Sequence, residues 1–96
     1  MIITMRVELL PLIGPQFFAT LAVWLHDENH TDCGDEDVYI EGGPADGPND
    51  ALDRLLHNIK ILLSEPIRVH TRYMVQQLDR KPYSYAVAKI DVPLYQ

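Results

Sequence analysis

Near the start of the chain Ile3, Met5, Val7 and Leu9 alternate with Thr4, Arg6 and Glu8. A period of two sends one set to each side of an extended chain, so this segment predicts a half-buried β-strand. Pro11 and Gly14-Pro15 then punctuate the sequence. After them Phe17, Ala19, Leu21, Val23 and Leu25 alternate with Phe18, Thr20, Ala22 and Trp24, apolar on nearly every position. That stretch predicts a buried strand, because Gly14-Pro15 suits a hairpin turn and aromatic and β-branched residues abound. A helix opening at Pro15 is the alternative. Val38, Tyr39 and Ile40 form a short third strand, and the glycines and prolines of 42–48 leave that segment irregular.

The pattern then changes period. Leu52, Leu55, Leu56, Ile59, Leu62 and Leu63 make one continuous apolar stripe on a helix from about Asp50 to Ser64. Asn49 or Asp50 can cap its first turn, Asp53 adds charge near its positive end, and Pro66 stops it. Beyond it the alternation returns. Ile67, Val69, Thr71, Tyr73 and Val75 oppose Arg68, His70, Arg72, Met74 and Gln76, which predicts a strand with one apolar and one largely basic face. Asp79-Arg80-Lys81-Pro82 turns the chain. Ala86, Ala88, Ile90 and Val92 then alternate with Tyr85, Val87, Lys89 and Asp91 in a last strand that Pro93 closes. The predicted order is β-β-β-α-β-β: an α+β fold whose small antiparallel sheet carries one amphipathic helix on one face. At 96 residues it is read as a single domain, 1–96, with an acidic loop region at 27–50.

Charge adds what periodicity cannot. The net value of −6 conceals a strong division: residues 1–53 hold 11 carboxylates and one cation, Arg6, whereas residues 54–96 hold 3 carboxylates and 7 cations. A surface of the first kind repels nucleic acid, whose phosphates need cations to displace their counterions. It attracts a basic protein and speeds the encounter. An acidic loop that merely keeps the domain soluble is the plainer explanation.

The uncharged run Leu9–Leu25 raises the question of a membrane span, but Pro11, Gly14, Pro15 and Gln16 would break a spanning helix. The single cysteine, Cys33, precludes an internal disulfide and suits a reducing compartment. A cytoplasmic location, with no membrane, is therefore expected.

Candidate chemistry is sparse. His26, His30 and Cys33 are zinc-competent and closely spaced, yet a closed zinc site needs a fourth ligand and no Cys-x-x-Cys pair supports it. They remain weak metal candidates beside the reading of a polar loop. The same stretch fails as a calcium loop, since Asp32 stands where glycine belongs and Val38 where the closing glutamate belongs. Gly42–Gly47 lacks the lysine of a phosphate loop and is acidic where phosphate would sit. Ser64, Ser84 and Cys33 sit in no nucleophile signature. No cofactor and no enzymatic activity are expected. Arg68, His70, Arg72, Arg80 and Lys81, with Tyr73, Tyr83 and Tyr85, offer a basic and aromatic surface of the kind that holds single-stranded nucleic acid or a subunit interface.

In outline and acidity the chain resembles several small inhibitor proteins: antitoxins, immunity proteins of nuclease toxins and phage-encoded anti-CRISPR proteins. The likeness is of style, with no motif and no residue carried over. It implies an acidic surface that covers the basic site where a partner holds nucleic acid. The expected function is accordingly that of an acidic inhibitor, binding a basic protein that handles nucleic acid and making no direct nucleic-acid contact. Asp32, Asp35, Glu36, Asp37, Glu41 and Asp46 would oppose the partner's cations, with Tyr39 and Trp24 as aromatic anchors. A structural subunit that assembles as a homodimer or larger homo-oligomer through the late hairpin, and a small metal-binding protein, are the alternatives.

Overall fold

A computed structural model describes residues 2–25 and 36–92. The described elements are β1 (Ile2–Pro11), β2 (Phe17–Trp24), β3 (Val38–Glu41), α1 (Pro48–Leu62), α2 (Glu65–Gln77) and β4 (Tyr85–Asp91). The four strands form one antiparallel sheet in the order β3-β2-β1-β4, and both helices pack on one side of it. The fold is α+β, as the sequence pattern indicates, with two helices in place of one.

β1 and β2 form the hairpin expected at Gly14, which takes the left-handed backbone (φ 67°) that glycine adopts without strain. Their register sets Met5 beside Val23 and Val7 beside Leu21. Ile3, Met5, Val7, Leu9, Ala19, Leu21 and Val23 are all fully buried against the helices. α1 lies mainly under β2 and reaches β3, burying Ala51, Leu52, Leu55 and Ile59. α2 lies under β4 and β1.

α1 corrects the sequence reading at both ends. Its N-cap is Gly47 and Pro48 opens it, so Asn49 and Asp50 sit inside the first turn and cap nothing. Proline suits this place because the first helical N–H groups lack intrahelical partners anyway. At the other end Leu63 terminates α1, its N–H bonded to the Ile59 carbonyl. Pro66 does not stop this helix; it stands in the first turn of the next.

The segment expected as a strand at 67–76 is α2. Its buried residues are Ile67, Thr71, Met74 and Val75, with Leu78 just beyond, at helical spacings of four, seven, eight and eleven. Val69 and Tyr73, which a strand would have turned inward, are exposed. The late β-hairpin therefore does not exist, and the single strand β4 pairs with β1.

β2 is buried on both faces although the helices cover only one. On the other face Ala22 sits between Arg6 and Tyr39 in register, and Thr20 between Glu8 and Glu41. Small residues on the central strand thus lie under long side chains from both neighbours. Trp24 is 8% exposed, with the Arg6 guanidinium 5.4 Å from its ring centroid.

Candidate functional site

β3 ends the sheet among the described strands, with β2 on one side and no described strand on the other. The first carboxylate before it has a structural task. Asp37 Oδ2 accepts the Leu25 N–H at 2.6 Å, while the Asp37 N–H donates to the Val23 carbonyl at 2.9 Å. These bonds tie the start of β3 to the end of β2. A carboxylate accepting a backbone N–H at that distance forms a strong, charge-assisted bond.

Within β3, Tyr39 and Glu41 are two residues apart and share the face away from the helices. The Tyr39 hydroxyl donates to Glu41 Oε2 at 3.2 Å. Partial burial, above all, raises the Tyr39 phenol above its ordinary pKa. The bond to Glu41 and the charge of Glu41 add to this, Glu36 adds a little, and a bond to Thr20 opposes it. Tyr39 nevertheless keeps 48% of its surface in solvent.

The end of β3 is anchored to α1. Asn58 Nδ2 donates to the Glu41 carbonyl at 2.9 Å. Gly42 follows, packed so closely that a Cβ there would lie 2.6 Å from the Leu55 nitrogen and 3.1 Å from the Ala51 oxygen. Only glycine permits this approach of strand end to helix backbone. Phe17 and Ala45 then exchange backbone hydrogen bonds at 2.9 Å, which leaves Asp46 exposed ahead of α1.

Between β3 and the last turn of α1 runs an open groove of about 390 Å³, lined by Tyr39, Ile40, Glu41, Asn58, Ile61 and Leu62. Beside Asn58 its helix wall presents two apolar side chains to water: Ile61 is 76% and Leu62 65% exposed. On the other side of Glu41 lies a smaller hollow of about 180 Å³, bounded by Leu12, Phe18, Gly43 and Pro44. Glu41 lines both and is the only charged residue in either lining among the described residues.

The structure thus brings Glu36, Tyr39 and Glu41 together at one sheet edge, with Asp46 following in the next loop. Asp32, Asp35, His26, His30 and Cys33 lie outside the described residues. Trp24 is removed as an anchor, because Arg6 and β1 cover it. Ile61 escaped the sequence reading, and Leu62, read there as part of the apolar stripe of α1, is exposed in the groove instead of packed in the core. Their signal was the apolar run Ile61–Leu63, which is wider than a one-sided helical stripe requires.

The basic surface expected on the late hairpin dissolves with that hairpin. Arg68 and Arg72 sit one turn apart on α2, and the His70 ring lies against Tyr73. Arg80 closes structure: its guanidinium donates to the Val75 carbonyl at 2.8 Å, to the Leu78 carbonyl, and through Nε to Asn49 Oδ1 at 2.9 Å. It neutralises the negative end of α2 and joins that end to the first turn of α1. Among the described residues no group of three or more His, Cys, Asp or Glu side chains could hold a metal ion, and no helix is long and apolar enough to cross a membrane.

Comparison with protein-family models, curated proteins and solved structures finds no match to this chain.

Proposed function

We propose that this chain is a non-catalytic binding protein that neutralises a basic, nucleic-acid-handling partner by covering the site where that partner holds nucleic acid. The observation that supports this reading most is the β3 edge. An exposed tyrosine and Glu41 lie on a sheet edge beside a wet apolar groove, in a stretch (36–53) that holds six carboxylates and no cation. Carboxylates without interspersed cations steer basic surfaces, and a half-exposed tyrosine beside an apolar groove supplies the contact area that charge alone lacks. Such an inhibitor would act in the cytoplasm, where its partner works.

The test is retention of partners from host lysate at low salt, release by a salt step, and titration of the purified partner. Exposed charges are screened within about 8–10 Å at physiological ionic strength, so affinity should fall steeply with salt. The combined change Glu36→Gln, Glu41→Gln and Asp46→Asn should weaken binding at least about tenfold, equivalent to ~1.4 kcal/mol. Unchanged affinity for a basic partner after those three substitutions would sink the reading.

A further inference from the structure

Resting on that reading, we propose that the partner docks by strand addition: it lays an extended segment along the side of β3 that no described strand occupies, with apolar and basic side chains alternating. Three features of the edge converge on this mode. First, three of the four residues of Val38-Tyr39-Ile40-Glu41 are good strand formers, and the strand carries neither lysine nor proline, two of the usual protections of an edge. Second, the groove runs beside the backbone of 39–41, where a further strand would lie about 4.8 Å out. Every second side chain of that strand would point to the helix side, next to Ile40, and enter the space above Ile61 and Leu62. Third, the intervening side chains would emerge on the opposite face beside Tyr39 and Glu41, where cations are favoured.

Charge also selects against the obvious competitor, a second copy joined β3 to β3. An antiparallel self-pairing centred on Tyr39 would set Asp37 opposite Glu41, and one centred on Ile40 would set Glu41 opposite Tyr39 with the two Glu41 side chains diagonal across it. Like charges opposed across a ladder are destabilising. The pattern thus fits a heterologous strand in which valine-like and lysine-like residues alternate.

The experiment uses the full chain, labelled with ¹⁵N, and two short capped peptides of identical composition. One alternates valine with lysine; the other groups its valines and lysines in two blocks. The alternating peptide should bind about tenfold or more tightly than the block peptide and slow amide exchange within 38–41. In the double variant Ile61→Ser, Leu62→Ser that preference should vanish, while the weak binding of the block peptide persists. Both side chains are largely exposed, and a urea midpoint close to that of the parent confirms that the variant folds. Equal, equally salt-sensitive binding of both peptides without protection at 38–41 overturns strand addition and leaves the acidic-edge reading standing. If neither peptide binds at low salt, both fall. If the chain alone forms a concentration-dependent dimer with 38–41 protected, the edge belongs to a second copy and the proposal is overturned.

Discussion

The two ends of this sheet use charge in opposite ways. At the α1–β3 end carboxylates gather along the sheet edge, and of Glu36, Asp37, Glu41 and Asp46 it is Asp37 whose side chain fastens backbone among the described residues. At the α2–β4 end, two of the cations are committed to closing helices. Arg80 binds the last carbonyls of α2, and Arg68 reaches the Lys60 carbonyl near the end of α1 at 3.4 Å. A sequence shows both ends simply as charge. The structure separates charge that holds the fold from charge left facing solvent, and the latter is available to a partner.

The most damaging change should be Gly42→Ala, which strikes the acidic end. The added methyl meets the backbone of Leu55 and Ala51, and backbone cannot rotate away as a side chain can. Overpacking of this kind costs roughly 1–3 kcal/mol, occasionally more. β3 would be pushed from α1 and the groove distorted, so urea denaturation should show lost stability and partner titration lost affinity together. If Gly42→Ala keeps parental stability, the close approach of strand and helix is wrong.

Arg80→Met should give a smaller effect of a different kind. It removes the bonds to Val75, Leu78 and Asn49 but keeps the length of the side chain. A loss of about 1–2 kcal/mol is expected from charge-assisted hydrogen bonds at a helix C-terminus. Partner affinity at low salt should be little changed, because none of the Arg80 bonds reaches β3 or a residue lining the groove beside it. A fall in affinity without a fall in stability would place Arg80 in the interface instead.

These two positions also show how far the sequence could be read. β1 and β4 were legible because each carries one unambiguous period. β2 was legible because the Gly14-Pro15 turn and its aromatic and β-branched residues favoured a strand over a helix opening at Pro15, and α1 because its stripe spans several turns. α2 was not, for a specific reason. Ile67, Thr71 and Val75 are spaced by four, which satisfies a strand's alternation and a helix's i, i+4 ladder equally. Met74 and Leu78 would have decided it, and so would Glu65-Pro66, an acidic residue and a proline suited to a helix's first turn. At the site, the acidic stretch and Tyr39 were visible as residue types. The groove was not, since it depends on where the last turn of α1 passes β3. Trp24 misled because its burial is set by Arg6 on a neighbouring strand.

The combined substitution Glu36→Gln, Glu41→Gln, Asp46→Asn sharpens the contrast from the other side. Changes at surface positions of this kind usually stay within about 0.5 kcal/mol of parental stability. Stability should therefore hold while partner binding weakens, the reverse of Arg80→Met. Differential scanning calorimetry alongside titration reads both at once, and a clear loss of stability would mean that these carboxylates are structural like Asp37.

The smallest expected effect is the most local, and it reads the field at the acidic edge directly. The Tyr39 phenol is held above its ordinary pKa first by burial, then by its bond to Glu41 and the charge there. Followed by the Cζ chemical shift, its titration midpoint should lie above that of a free tyrosine. Glu41→Gln should bring it part of the way down, since burial, the largest cause, remains. Thr20→Val should move it up, because the Thr20 bond favours the phenolate. The consequence for stability follows from linkage. With its pKa raised in the fold, Tyr39 holds its proton where the unfolded chain has lost it. Its contribution is therefore complete below the ordinary tyrosine pKa and declines as pH rises through the folded value. A midpoint indifferent to Glu41→Gln would show that the Tyr39–Glu41 bond does not persist in solution. A lysine-bearing strand docked beside Glu41 should lower the same midpoint, because a nearby cation stabilises phenolate. One tyrosine can thus report both the undisturbed acidic edge and its occupation by a basic partner.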